Sequence, residues 1–286
     1  MTKRSNDVLA PSAKRSRKMA AQPNAIAVMA RPDKASSCPA AATVVTSTVL
    51  SNQESPTKIG RLPLMPSIAP TSAVGANKVT KYAYDMVETF RRDPIQCDQF
   101  VAIGGPLSLL VFMKQWQHNE EVQEELFSCL GWFVYCFKEK NLAGKFDVFS
   151  FLRKAGVLAA IVEVMRLYPK RSVLQRNGMY MIMYLCEYAH GDNCQQQEMA
   201  YDFIHELQGI SSIVAACVSH PTVDYVQKVA CALLATLCHL GFYNITVMKT
   251  EALPTVALAI AVFPHDAFLV NQAADFTEMV LRAYHK

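Results

Sequence analysis

Aromatic residues are missing from the first part of this chain. No Phe, Trp or Tyr precedes Tyr82, although the 286 residues include 14 Phe, 2 Trp and 11 Tyr. Residues 1–77 instead hold 8 of the 14 Pro, with Ser, Thr and Ala filling most of the remainder. Without aromatic anchors such a segment cannot bury enough apolar area to offset its conformational entropy, so it is expected to be disordered, with a folded domain at 78–286. Long hydrophobic runs are also absent. The longest, around Val229–Leu240 and Leu253–Phe263, fall short of the roughly 18 residues that suggest a bilayer span, and no membrane association is expected. Lys3, Arg4, Lys14, Arg15, Arg17 and Lys18 are followed by no apolar stretch of the kind that makes a secretory signal, which points to a reducing compartment.

Catalytic and metal-binding patterns are equally scarce. The chain has no phosphate-cradling Gly-rich loop, no nucleophile elbow and no HExxH, and Gly104-Gly105 lacks a following Gly-Lys-Ser/Thr. The nine Cys are scattered among apolar residues, where a thiol behaves as a small hydrophobe. Cys186, His190 and Cys194 offer three candidate ligands without a clear fourth, short of the paired close spacings of a structural zinc site. Glu120, Glu121, Glu124 and Glu125 suit the positive end of a helix rather than an acid–base site. These absences predict a protein that is not an enzyme and needs no cofactor or metal.

Charge divides where composition does. Residues 1–77 carry 10 Lys/Arg against 3 Asp/Glu, so the remainder of the chain is mildly acidic although the whole carries +4. A basic segment attached to an acidic body does not describe a domain that grips phosphate backbones over its whole surface.

From Lys78 onward apolar residues recur at three and four, with no sustained alternation, which predicts an all-α domain. Internal repeats are visible. Gly105-Pro106-Leu107, Gly156-Val157-Leu158 and Gly209-Ile210-Ser211 each open an apolar helix, with Glu251-Ala252-Leu253-Pro254 in the fourth place. A second, longer helix begins at Val122-Gln123, Leu174-Gln175 and Val226-Gln227, the Gln residues lying 52 apart. Aligned on them, Leu130, Ile182 and Leu234 fall in one column and Phe133, Leu185 and Leu237 in another, predicting a continuous core between stacked repeats. A fourth segment follows with Gln272, Phe276, Met279, Val280 and Ala283.

The Gly turn, apolar helix, short loop and Val-Gln before a long apolar helix, at Gly104-Gly105…Val122-Gln123 and Gly209…Val226-Gln227, resemble the armadillo repeat. The resemblance covers about residues 100–286. Its spacing of 52 exceeds the family's usual length of about 42. Inserts at 138–151 and 190–207 are expected to supply longer connecting helices, and a HEAT-like arrangement stays open. The resemblance implies an α-solenoid of about four repeats, with third helices lining a concave groove that receives an extended peptide. Where the family carries a ladder of Asn, this chain has Trp132, Tyr184 and Thr236.

Positions five, nine and twelve after each Gln share one helical face. They read Ser128, Trp132 and Tyr135, then Tyr180, Tyr184 and Glu187, then Ala232, Thr236 and His239. One reading is a partner-binding groove centred on Trp132, Tyr180 and Tyr184, since rings with polar tips anchor partners well. The other is that the rings pack within the core.

In the first segment, Lys3-Arg4 and Lys14-Arg15-Ser16-Arg17-Lys18 have the arrangement of a bipartite nuclear-import signal, with an import receptor as its partner. Ser55-Pro56-Thr57-Lys58 resembles a proline-directed phosphorylation site, where phosphate would reduce the local positive charge by about two units. The leading expectation is a nuclear scaffold or adaptor that binds an unidentified protein or peptide. The alternatives are a nucleic-acid-associated protein using the first segment and the basic residues of 138–171, and a structural subunit of a larger assembly.

Overall fold

A computed structural model of the chain describes residues 73–93, 96–139, 148–187, 198–240 and 247–284, all within one compact unit, Thr46–Lys286. Residues 1–72 of the expected disordered segment lie outside the described residues, and with them Lys3, Arg4, Lys14, Arg15, Arg17, Lys18 and Ser55. The first helix among the described residues begins at Ala73, ahead of the composition change at Lys78. Small residues that add no aromatic signal, Ala73, Gly75 and Ala76, make up its first turns, and its buried stripe continues through Val79, Tyr82 and Met86.

The fold is all-α, with no strand among the described residues. The helices are α1 (Ala73–Arg92), α2 (Gln96–Ala102), α3 (Gly105–Gln115), α4 (Glu120–Glu139), α5 (Val148–Lys154), α6 (Val157–Leu167) and α7 (Ser172–Glu187). After a π-helical turn at Asp202–Glu206 come α8 (Gly209–Ser219) and α9 (Asp224–His239), and after a second π-helical turn at Met248–Ala252 come α10 (Leu253–Val262) and α11 (Ala267–Tyr284). No single described helix is long and apolar enough to cross a bilayer; the bent pair α2 and α3 passes that test only together.

The period of 52 holds element by element: α2 and α5 coincide, as do α3, α6 and α8, and the starts of α4, α7 and α9. The last long helix, α11, follows at 43, and the shortening falls between α9 and α10. Helices in the two inserts, α5 and the segment ending in the Asp202–Glu206 turn, are the first of three in their repeats.

Left-handed backbone precedes each of the three equivalent middle helices, at Gly104 (φ 74°), Gly156 (φ 76°) and Gln208 (φ 50°). This corrects the alignment drawn from glycines alone. Gly156 is the counterpart of Gly104 and Gln208, not of Gly105 and Gly209. The latter two are glycine for another reason, since a Cβ there would stand inside the rings of Phe100 and Phe203. Phe203 lies one residue further upstream of its glycine than Phe100 does, and the intervening π-helical turn accommodates that extra residue.

The long helices α1, α4, α7, α9 and α11 pack on one another in chain order. The middle helices α3, α6, α8 and α10 form a second such row, each against the long helix that follows it. Both predicted columns are fully buried between the rows: Leu130, Ile182 and Leu234, and Phe133, Leu185 and Leu237. Each such side chain contributes about 1.5–3 kcal/mol by leaving water. Phe90, Phe100 and Phe133 close the first layer with ring centroids 5.3 to 6.2 Å apart.

The anchor glutamines are a repeated polar device inside this core. Gln175 Nε2 donates to the carbonyls of Met165 (2.8 Å) and Tyr168 (2.9 Å), and Gln227 Nε2 to those of Cys217 and His220 (both 2.9 Å). Among the described residues Gln123 makes only the first of these bonds, to Met113 at 2.7 Å, and its buried Oε1 has no partner there. The last carbonyls of a helix lack intrahelical donors, and each glutamine supplies donors to the middle helix it follows.

Repeats are also tied to one another at that end. Tyr168, which caps α6, donates its hydroxyl to the Gln117 carbonyl at 2.7 Å, and His220, which caps α8, donates Nε2–H to the Pro169 carbonyl at 2.9 Å. Trp116 occupies the same position in the first repeat, and its buried Nε1 has no partner among the described residues.

Candidate functional site

The candidate face lies on the long helices, whose inward residues hold the rows together and whose Gln-registered residues fall on another side. Trp132 and Tyr184 are only 5% and 2% exposed. The surface exposure expected of them is therefore not found, because neighbouring long helices close over both rings. Tyr135 and Tyr180, together with Ser128 and Thr236, are half-buried, and His239 is exposed. Glu187 ends α7, and its side chain lies outside the described set.

The rings form one connected run. The Arg91 guanidinium of α1 lies 4.7 Å over Trp132, whose ring meets Tyr135 edge-on at 5.6 Å. Tyr135 contacts Tyr184 across the α4–α7 seam at 6.3 Å, and Tyr184 stacks on Tyr180 at 6.1 Å. One turn before Tyr180 on α7 stands Arg176, whose guanidinium lies 5.1 Å over Tyr225 of α9. Aromatic pairs of this kind add about 0.5–1.5 kcal/mol each beyond area burial. Ser128, Thr236 and His239 make none of these ring contacts.

Electrostatics single out Arg176. It is 6% exposed, and its Nε donates to Asn177 Oδ1 at 3.0 Å. No carboxylate pairs with it among the described residues. Burial lowers its pKa, opposed by the nearby Tyr225 and Tyr180 hydroxyls. Burial in turn raises the Tyr180 hydroxyl, with Arg176 and Lys228 pulling it back down. Lys228 itself pairs with two carboxylates, Asp266 (2.6 Å) and Asp224 (3.1 Å). The Tyr225 hydroxyl shares a 2.7 Å hydrogen bond with Ser172.

Arg91, Arg176 and Tyr225 were not among the residues expected from the sequence. Arg176 was within reach of sequence reasoning, because it precedes Tyr180 by one helical turn and extends the Arg176–Tyr180–Tyr184 stripe. Arg91 and Tyr225 come from neighbouring helices, and no spacing along one helix signals their approach.

The basic residues of 138–171 are partly consumed within the fold. Arg153 pairs with Glu198 and, at 2.7 Å, with Asp202; Arg166 donates to the Leu207 carbonyl at 2.6 Å. Arg171 pairs with Glu120 and, at 2.8 Å, with Glu124. Lys154 and Lys170 are exposed, and the side chains of Lys138, Lys140 and Lys145 lie outside the described set.

No group of three His, Cys, Asp or Glu suited to a metal occurs among the described residues; His190 and Cys194 are not described. Cys186 is buried and its thiol is pushed up to about 12 by that burial, next by the charge of Asp202. Cys231 and Cys238 are likewise pushed up to about 12 by burial. These thiols stay protonated at neutral pH and serve as core.

The chain matches no protein-family model, no curated protein and no solved structure.

Proposed function

We propose that this chain is a nuclear protein-interaction module, an armadillo-like α-solenoid whose third helices α4, α7 and α9 present a groove to an extended segment of a protein partner. The basic residues near the N-terminus would supply nuclear import. Three-helix units at a fixed period, with a buried glutamine at one point in each, support the solenoid reading.

The observation that carries the binding reading is the run of ring contacts from Arg91 to Tyr180, extended by Arg176, one helical turn before Tyr180, to Tyr225; together they cross four long helices. Its buried members Trp132 and Tyr184 act as the rigid floor, and the half-buried Tyr135 and Tyr180 as the contact rings. An aromatic floor with polar tips suits a ligand that is partly apolar and partly wet. The engaged state of Arg153, Arg166 and Arg171 leaves the nucleic-acid reading less to rest on.

Short random peptides selected by display on the immobilised full chain test the groove. The expected result is that selected peptides lose at least about tenfold in affinity, about 1.4 kcal/mol, on the Tyr135→Ala/Tyr180→Ala variant, measured at a temperature where that variant keeps its helicity, since loss of its ring pairs lowers the melting temperature. Peptides that bind both forms equally would place the working surface elsewhere. For localisation, replacing Lys14, Arg15, Arg17 and Lys18 by Ala in a large fluorescent fusion should abolish nuclear accumulation; unchanged accumulation would end the import assignment.

A further inference from the structure

The long helices start three residues after one recurring position. It is Gln117 before α4, Pro169 before α7, Pro221 before α9 and Pro264 before α11. Its carbonyl receives the ties between repeats, from Tyr168 to Gln117 and from His220 to Pro169. Three residues before α1 stands Pro70, 47 residues ahead of Gln117. Shifted by that same 47, Val79, Tyr82, Ala83, Met86 and Val87 of α1 fall on Leu126, Cys129, Leu130, Phe133 and Val134 of α4, and all ten are buried. By this register α1 is the long helix of a repeat of its own, ahead of the one that α2 opens.

Trp116 is the residue to which that earlier repeat owes a partner. It caps α3 as Tyr168 caps α6 and His220 caps α8. Both counterparts donate to the position three residues before the preceding long helix. The buried Nε1–H of Trp116 has no acceptor among the described residues, and a buried donor left so is costly. For Trp116 the equivalent acceptor is the Pro70 carbonyl.

α3 also exposes an apolar face. Ile103, just before it, and Leu107 and Val111 within it are spaced by four and are 54%, 44% and 53% exposed. At the periods of 52, Ala159 and Ser211 stand in place of Leu107, and Glu163 and Ala215 in place of Val111. A patch of large apolar side chains on one of three equivalent faces marks a contact surface.

We propose that residues 64–70 of this chain dock on α3, with the Pro70 carbonyl accepting the Trp116 indole N–H and Leu64, Met65 and Ile68 covering Ile103, Leu107 and Val111. This is independent of the groove reading. In each later repeat a middle helix occupies the corresponding place in its row, but Pro63 and Pro66 do not suit a helix interior. An extended segment spans about 19 Å over the six steps from 64 to 70, at about 3.1 Å each, and α3 is about 16 Å long. A short extended stretch can therefore take the place of a helix and cap the first end of the stack.

Nuclear magnetic resonance on the full chain, with labelled Ile, Leu, Val and Met methyls, tests this. The expected result is methyl contacts from Leu64, Met65 or Ile68 to Ile103, Leu107 or Val111. The Trp116 indole proton should exchange with solvent at least about a hundredfold more slowly than an exposed indole. Trp116→Phe identifies that signal, because the chain has 2 Trp. Leu64→Ser/Met65→Ser/Ile68→Ser should remove the methyl contacts and speed the indole exchange by at least about tenfold, with amide protection in α9 unchanged.

Equal indole protection in both forms would show that the N–H is satisfied elsewhere in the fold and would overturn the tie. No methyl contacts in the unchanged chain, or contacts to the rings of α4 and α7 instead, would overturn the choice of α3. Contacts arising only between differently labelled molecules in a mixed sample would give the face to a second copy and overturn docking within one chain.

Discussion

The Tyr168 hydroxyl reaches the Gln117 carbonyl of the preceding repeat at 2.7 Å, and one period later His220 repeats the bond to Pro169. Two chemically different side chains perform the same inter-repeat tie at the same position. Tyr168→Phe should therefore lower the unfolding free energy by about 1 kcal/mol, the usual net worth of one such bond. Urea denaturation is the measurement, and no change in midpoint would show that the tie is not sustained in solution.

The glutamine series makes a ranking. Gln175 and Gln227 each serve two carbonyls, whereas Gln123 serves one and leaves its own Oε1 unpartnered. Replacement by Leu should cost about 2–4 kcal/mol at Gln175 and Gln227, where two buried acceptors lose their donor, and clearly less at Gln123. An equal loss at all three would contradict the hydrogen-bond count.

Gln208 holds a left-handed backbone (φ 50°) where its counterparts are Gly104 and Gly156. A Cβ makes that conformation unfavourable by about 1–2 kcal/mol. Gln208→Gly should raise stability by about 1 kcal/mol, which for a domain of this size is a melting temperature higher by about 2–4 °C. A lower melting temperature would show that the Gln208 side chain contributes more than its backbone costs.

Trp132 and Tyr184 are buried. Truncation of either to Ala should cost about 3–5 kcal/mol of stability, whereas Tyr180→Ala should cost much less because that ring is half-buried. Thermal melts separate the two classes. A Trp132→Ala variant that melts normally would mean that the ring is exposed in solution.

Asp266 carries a pH dependence. The Leu269 backbone N–H first, and then Lys228, hold its carboxyl below the usual value. Its folded value is thus lower than its unfolded one, so its contribution is present above the unfolded value of about 4 and is lost as pH falls through the folded value. Between pH 5 and pH 3, by this reckoning, Asp266→Asn should lose less stability than the unchanged chain. Parallel loss in both would remove Asp266 from the acid transition.

Much of this architecture is legible in the amino-acid order. Helical periodicity announces an all-α domain, and the spacing of Gln123, Gln175 and Gln227 locates the long helices. The columns through Leu130 and Phe133 identify core. Each of these signals is carried along a single helix, where the backbone's own geometry converts spacing into facing. The tertiary structure alone decided the rest. It placed Gln208, rather than Gly209, in the left-handed position, sank Trp132 and Tyr184 beneath their neighbours, and brought Arg91 and Tyr225 to the ends of a ring run begun on other helices. Whether a ring in a stripe is buried or exposed depends on how closely the adjacent helices approach. That distance is set by the side chains of both partners packing together, and no period within one helix contains it.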